Sequence, residues 1–88
     1  MSRCHELKIT SPFFQAIKSG EKTFEIRRND RGFQKGDILI LKEIDEYEIS
    51  TRNELAVAIS YVLNGWGIEN GFVVLGIKPI NNEIRIRC

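Results

Sequence analysis

The densest chemistry in the chain lies in eight residues, Gly20-Glu21-Lys22-Thr23-Phe24-Glu25-Ile26-Arg27. In an extended segment side chains alternate between faces, so Thr23, Glu25 and Arg27 share one face, with Lys22 just before them. A carboxylate between two cations is held ionised and in place. It can accept from a base edge or an exocyclic amine, or act as a general base. Support for covalent chemistry is thin: Thr23 is the nearest hydroxyl, Ser19 falls in a predicted turn, and His5 belongs to another segment. No spacing suggests a Ser/His/Asp arrangement, and His5 reads as a structural side chain.

The charge pattern around this segment is uneven. From Lys18 to Lys35, the basic residues Lys18, Lys22, Arg27, Arg28, Arg31 and Lys35 face only Glu21, Glu25 and Asp30, a surplus of three in a chain of net charge +1. Such segregation makes either a phosphate-facing patch or a solvated hairpin whose charges pair with one another. Trp66, between Gly65 and Gly67, is a large aromatic in a predicted loop. It reads either as a stacking platform for a base or as a lid over one end of the fold. Tyr47 has the same ambiguity. The glycines match no phosphate-loop or dinucleotide fingerprint, and no Cys/His cluster has metal-ligand spacing, so neither a cofactor nor a metal is expected.

The elements that must position these groups follow from periodicity. His5 to Ile9 alternates as a half-buried strand. Ser11-Pro12 predicts the start of a short helix carrying Phe13, Phe14 and Ile17, which Gly20 ends with a left-handed residue. Thr23 to Arg28 returns to strand, with Phe24 and Ile26 expected in the core. Asn29-Asp30-Arg31-Gly32 is a turn, and Ile38 to Leu41 is a buried strand. Tyr47 to Glu54 reads as a polar loop. Ala56 to Leu63 and Phe72 to Ile77 are strands, interrupted at Asn64-Gly65-Trp66-Gly67 and stopped by Pro79. Asn81-Asn82 is a hairpin turn into a last strand, Glu83 to Arg87. The expected core holds Phe24, Ile26, Ile38, Ile40, Val57, Ile59, Val74 and Ile84, with Phe13 or Phe14 and Ile17 against its side.

About six short strands and one early helix suggest a small, mostly β (α+β) fold, an antiparallel sheet closed into a barrel. The 88 residues are enough for one domain, 1–88, with an ordinary apolar share of 42%. The near-neutral charge excludes a strongly basic histone-like binder. Two cysteines, Cys4 and Cys88, are too few for a disulfide framework and read as reduced thiols. No run is long and apolar enough for a membrane span, and no signal segment is evident, so a soluble cytoplasmic protein is expected.

Gly20-Glu21-Lys22-Thr23-Phe24-Glu25-Ile26-Arg27 resembles the Gly-x-Lys-x-x-Glu-x-Arg signature of ASCH domains, in the PUA-like superfamily of RNA-associated barrels. The resemblance is closer to a bacterial and phage branch of unsettled function. It extends over His5-Glu6-Leu7-Lys8-Ile9, Phe13-Phe14, Phe24 to Arg31, Gly36-Asp37 and Gly71 to Ile77. It implies a PUA-like barrel with a helix beside a cleft, and an RNA or nucleotide ligand in that cleft. Some ASCH-like proteins are similar to amidohydrolases acting on acetylated cytidine through a Lys and a Thr on this segment. Here the Lys is Lys22, but Glu25 stands in place of the Thr, which weakens that reading.

The expectation is therefore an RNA- or nucleotide-binding module rather than an enzyme. Lys22, Arg27, Arg28 and Arg31 would contact phosphates or base acceptors, Glu25 would read a donor edge, and Trp66 would stack. The alternatives are a nucleoside amidohydrolase centred on Lys22 and Glu25, and a protein-interaction module.

Overall fold

The two-residue period of β1 (Cys4–Thr10) buries His5 with the apolar Leu7 and Ile9 and leaves Glu6, Lys8 and Thr10 exposed. The chain then enters α1 (Ser11–Lys18), followed by β2 (Phe24–Arg28), β3 (Ile38–Ile44), β4 (Ser50–Leu63) and β5 (Phe72–Pro79). These assignments come from a computed structural model that describes residues 3–80. The five strands form one curled half-barrel in the order β1-β3-β4-β5-β2. The predicted last strand, its Asn81-Asn82 turn and Ile84 lie outside the described residues.

The sheet is not purely antiparallel. β1 pairs in parallel with β3, because α1 and β2 intervene before the chain returns; the other three pairings are antiparallel. β1 and β2 are the two ends of the described sheet and face each other across a seam. Guanidinium groups span it: Arg27 Nη2 donates to the Lys8 carbonyl at 2.7 Å, and Arg31 Nη1 donates to the Glu6 carbonyl at 3.0 Å. Two edge carbonyls of β1 thus find donors without a neighbouring strand.

The helix begins one residue earlier than Ser11 as a cap would require. Thr10 occupies the N-cap position without a side-chain cap bond, while Ser11 Oγ donates to the Ile44 carbonyl at 3.1 Å. Phe14 and Ile17 are buried, and Gly20, at φ +85°, turns the chain toward β2.

The core corrects the expected phase of three strands. It contains Leu7, Ile9, Phe14, Ile17, Phe33, Leu39, Leu41, Val57, Ile59, Val73, Leu75 and Ile77. On β2, Phe24 and Ile26 are 42% and 55% exposed, and Glu25 is the buried residue. On β3, Leu39 and Leu41 point inward; Ile38 is half-buried, and Ile40, though buried, lies outside the main cluster. Val74, opposite Ile26, is also only half-buried. The cause is simple: strand geometry fixes which residues share a face, but neither an alternation nor a continuous apolar run fixes which face turns to the core.

Two irregularities complete the sheet. β4 starts at Ser50, so the predicted polar loop contributes residues 50–54 to a strand whose register shifts opposite Lys42 and Ile44. A second shift, between Ile59 and Tyr61 opposite Gly76, inserts an extra residue and turns Tyr61 outward, 63% exposed. A Cβ on Gly76 would come within 3.1 Å of Ser60 Oγ, so the glycine admits the bulge. Cys4 is not a free thiol, which corrects the reduced-thiol expectation for that residue. Among the described residues no helix is long and apolar enough to cross a membrane.

Candidate functional site

Four charged or polar side chains are buried among the described residues: His5, Glu25, Asp37 and Glu43. They form three networks, because His5 and Asp37 bond each other, and two of the three belong to the scaffold. Asp37 meets His5 Nε2 at 2.9 Å and accepts from the Arg3 and Gln34 amides at 3.2 and 3.1 Å. Burial pushes its carboxyl up, but these hydrogen bonds outweigh burial and leave it below the ordinary range. His5 also packs edge-on against Phe33, with centroids 4.8 Å apart, as a structural side chain does. Glu43 accepts from Asn53 Nδ2 at 2.9 Å, Thr51 Oγ1 at 2.7 Å and Gln15 Nε2 at 3.1 Å. Those donors, Asn53 foremost, pull its carboxyl down to about 2. The network ties α1 to β3 and to the irregular start of β4.

Glu25 is different. Lys22 Nζ donates to its Oε1 at 2.5 Å and Arg27 Nε to its Oε2 at 2.9 Å. Charge-assisted bonds to both oxygens are what make a carboxylate with 4% exposure tolerable on the inward face of β2. The Lys22 ammonium also donates to the Phe24 carbonyl at 2.9 Å. It stands over the rings of Phe13 and Phe24, 4.7 and 4.9 Å from their centroids. The sequence motif thus folds into one cluster, with Lys22, Glu25 and Arg27 in contact as the spacing predicted.

This cluster forms one wall of a cleft of about 520 Å³ along the seam. β1 contributes Lys8, Ile9 and Thr10, and α1 contributes Phe13. Residues 24–28 of β2, Lys22 and Phe72 complete the lining. Four cations, Lys8, Lys22, Arg27 and Arg28, therefore face a single carboxylate. Arg28 lies over the Phe72 ring at 5.3 Å, and Phe13 is 54% exposed at the rim.

The six-cation segment does not act as a unit. Lys22, Arg27 and Arg28 line the cleft; Arg31 is held by the Glu6 carbonyl outside it, and Lys18 and Lys35 are exposed elsewhere. Trp66 is 92% exposed on the β4–β5 loop, so it covers nothing, and it is not part of this lining. Tyr47, 75% exposed, is likewise not a lid. The hydroxyl on the cleft wall is that of Thr10, not Thr23. Lys8, Thr10, Phe13 and Phe72 were missing from the sequence-based site. Lys8 and Thr10 share the exposed phase of β1, which is the one signal that marks them.

A family described as a domain of unknown function, DUF3850, matches residues 4–77. The chain belongs to that family. The match covers all five strands nearly in full, including every residue of the cleft. An uncharacterized 12.9 kDa protein in the GpA 3′ region of Escherichia phage P2 is 40% identical over 43 residues, 49% of this chain. Those residues cover 39% of the phage protein, so the match spans about two fifths of that relative's length.

Proposed function

We propose that this DUF3850 domain has PUA-like architecture and binds a nucleotide or a short single-stranded RNA in the seam cleft. The observation that carries the reading is the lining itself: four cations and three phenylalanines around one carboxylate that Lys22 and Arg27 already neutralise. Cations for phosphates beside exposed rings for a base is the combination that single-strand binders use. The cleft's volume of about 520 Å³ is of the size that holds one small ligand. The similarity of Gly20 to Arg27 to the ASCH signature supports the same reading.

In this arrangement Lys8 and Arg28 meet phosphate oxygens, Phe13 and Phe24 offer ring faces to a base, and Glu25 orients Lys22 and Arg27. Hydrolysis of an acylated nucleoside has weaker support, because both Glu25 oxygens are engaged by cations and Thr23 does not line the cleft. The test is equilibrium binding of labelled single-stranded RNA at low salt, followed by fluorescence anisotropy. Binding that weakens with salt and drops in an Arg28→Gln variant is expected. Equal affinity for an uncharged polymer and for RNA would remove the basis of the proposal.

A further inference from the structure

A second cleft, of about 430 Å³, lies between the β4–β5 loop and the end of β2. Its lining includes Asn29, Asn64, Glu69, Asn70 and Phe72. Phe72 lines both clefts, and the consecutive residues Arg28 and Asn29 line one each, so the two are neighbours. Their chemistry differs. The seam cleft is cationic; the second offers three amide side chains and one carboxylate, with no cation in its lining.

We propose that the second cleft is a base-recognition subsite, so the preferred ligand is a single strand of at least two nucleotides. This rests on the nucleotide reading of the seam cleft and extends it. Phosphate is drawn to Lys8, Lys22, Arg27 and Arg28 and repelled by Glu69, which sets the polarity of the bound strand: backbone over the seam, a neighbouring base beyond Phe72. Asparagine amides carry a donor and an acceptor side by side, the pattern that pairs with base edges. The Glu69 carboxylate accepts from an exocyclic amine, which adenine, cytosine and guanine have and uracil lacks. Asn29 Oδ1 already accepts from the Phe33 amide at 3.2 Å, which fixes that side chain and leaves its amide nitrogen as a donor.

The loop is built to hold this wall. Ile68 donates to the Gly65 carbonyl at 2.9 Å, Phe72 to Glu69 at 3.0 Å, and Asn29 to Gly71 at 2.8 Å. Between Gly65 and Gly67, Trp66 takes a left-handed φ of 53° and remains 92% exposed. A bulky residue in that conformation without burial is a strained position that packing does not explain. Trp66 is not itself in the lining of the second cleft but follows Gly65, which is.

Trp66 is the chain's single tryptophan, so its fluorescence reports on this loop alone. The experiment titrates the whole protein with 5′-phosphorylated mononucleotides and with dinucleotides covering the four bases at each position. Anisotropy of a labelled competitor gives affinity, and Trp66 emission reports on the loop beside the subsite. Dinucleotides are expected to bind about fivefold or more tighter than mononucleotides. They should change Trp66 emission and favour the amine-bearing bases adenine, cytosine and guanine over uracil at one position. An Asn64→Ala/Asn70→Ala double variant should lose that gain and keep mononucleotide affinity. Neither residue has a positive φ, so alanine adds no backbone strain. If dinucleotides bind no better than mononucleotides, or the gain survives the double variant, the subsite is overturned and the seam reading stands. If neither binds, both fall.

Discussion

Glu25 and Glu43 are equally buried, at 4% and 3% exposure, yet they are held in opposite ways. Glu43 is satisfied by neutral groups of Asn53, Thr51 and Gln15, from a helix and a neighbouring strand. Glu25 is satisfied by two cations from its own segment, and those cations line an open cleft. Neutral donors make a junction between elements. Cationic donors make a junction that also retains a field directed at solvent, because one carboxylate cannot neutralise four positive side chains. The difference separates a carboxylate that serves the fold from one that serves a site.

The strongest test of that separation is removal of each carboxylate. Glu25→Ala leaves Lys22 and Arg27 close together without their counter-ion. It is expected to cost about 2–3 kcal/mol, below the full cost for a deeply buried pair because both cations keep contact with water. Glu43→Ala leaves neutral groups at exposed positions and should cost less. Urea denaturation of both variants checks the order, and equal losses would break the comparison.

The next largest effect distinguishes the two arginines. Arg27 bonds Glu25 and closes the seam through the Lys8 carbonyl, whereas Arg28 rests on Phe72. Arg27→Gln should destabilise by about 1–2 kcal/mol, through a charge-assisted bond and a lost backbone partner. Arg28→Gln should stay within about 0.5 kcal/mol, as exposed substitutions do. Thermal melts of the pair measure this, and an Arg27 variant as stable as the Arg28 variant would show that the seam is closed by other means.

Acid titration sharpens the contrast further. Glu43 falls from an ordinary 4.5 to about 2 in the folded protein, and Asp37 is lowered as well. A carboxyl depressed by folding contributes stability above its unfolded value and loses it as pH falls through its folded value. Stability should therefore decline between about pH 4.5 and 2, and Glu43→Gln should flatten that decline. Urea midpoints measured across this window test it; an unchanged slope in the variant would place the acid sensitivity elsewhere.

Much of this organisation was legible in the residues, and the limits were physical. Alternation from Thr23 to Arg28 placed Glu25 and Arg27 together, and Ser11-Pro12 with Gly20 framed the helix. What alternation cannot supply is the sign of a face. Phe24 and Ile26 look like core residues until Lys22 and Arg27 are seen to make Glu25 buriable. The parallel β1–β3 pairing and the bulge opposite Gly76 depend on contacts between distant residues that no local pattern encodes. Lys8, Thr10 and Phe72 join the cleft only because the half-barrel curls.

The smallest expected effect is also the one most specific to the cleft's charge. If the net surplus of three positive charges meets three phosphates of a single strand, log affinity should fall with log salt at a slope of about −2. Arg28 is the cation best suited to a subtraction, because its side chain has no ion pair among the described residues and its removal leaves the Glu25 cluster intact. Arg28→Gln should flatten the slope by about 0.7, one phosphate contact of a single strand. Arg31→Gln should leave the slope unchanged, because Arg31 is bound to the Glu6 carbonyl outside the cleft. Equal flattening by both variants would mean that the ligand reads the whole basic segment and not the seam. No flattening by either would leave Lys8, Lys22 and Arg27 as the only cleft cations in contact with phosphate, with Arg28 serving to hold the Phe72 ring between the two clefts.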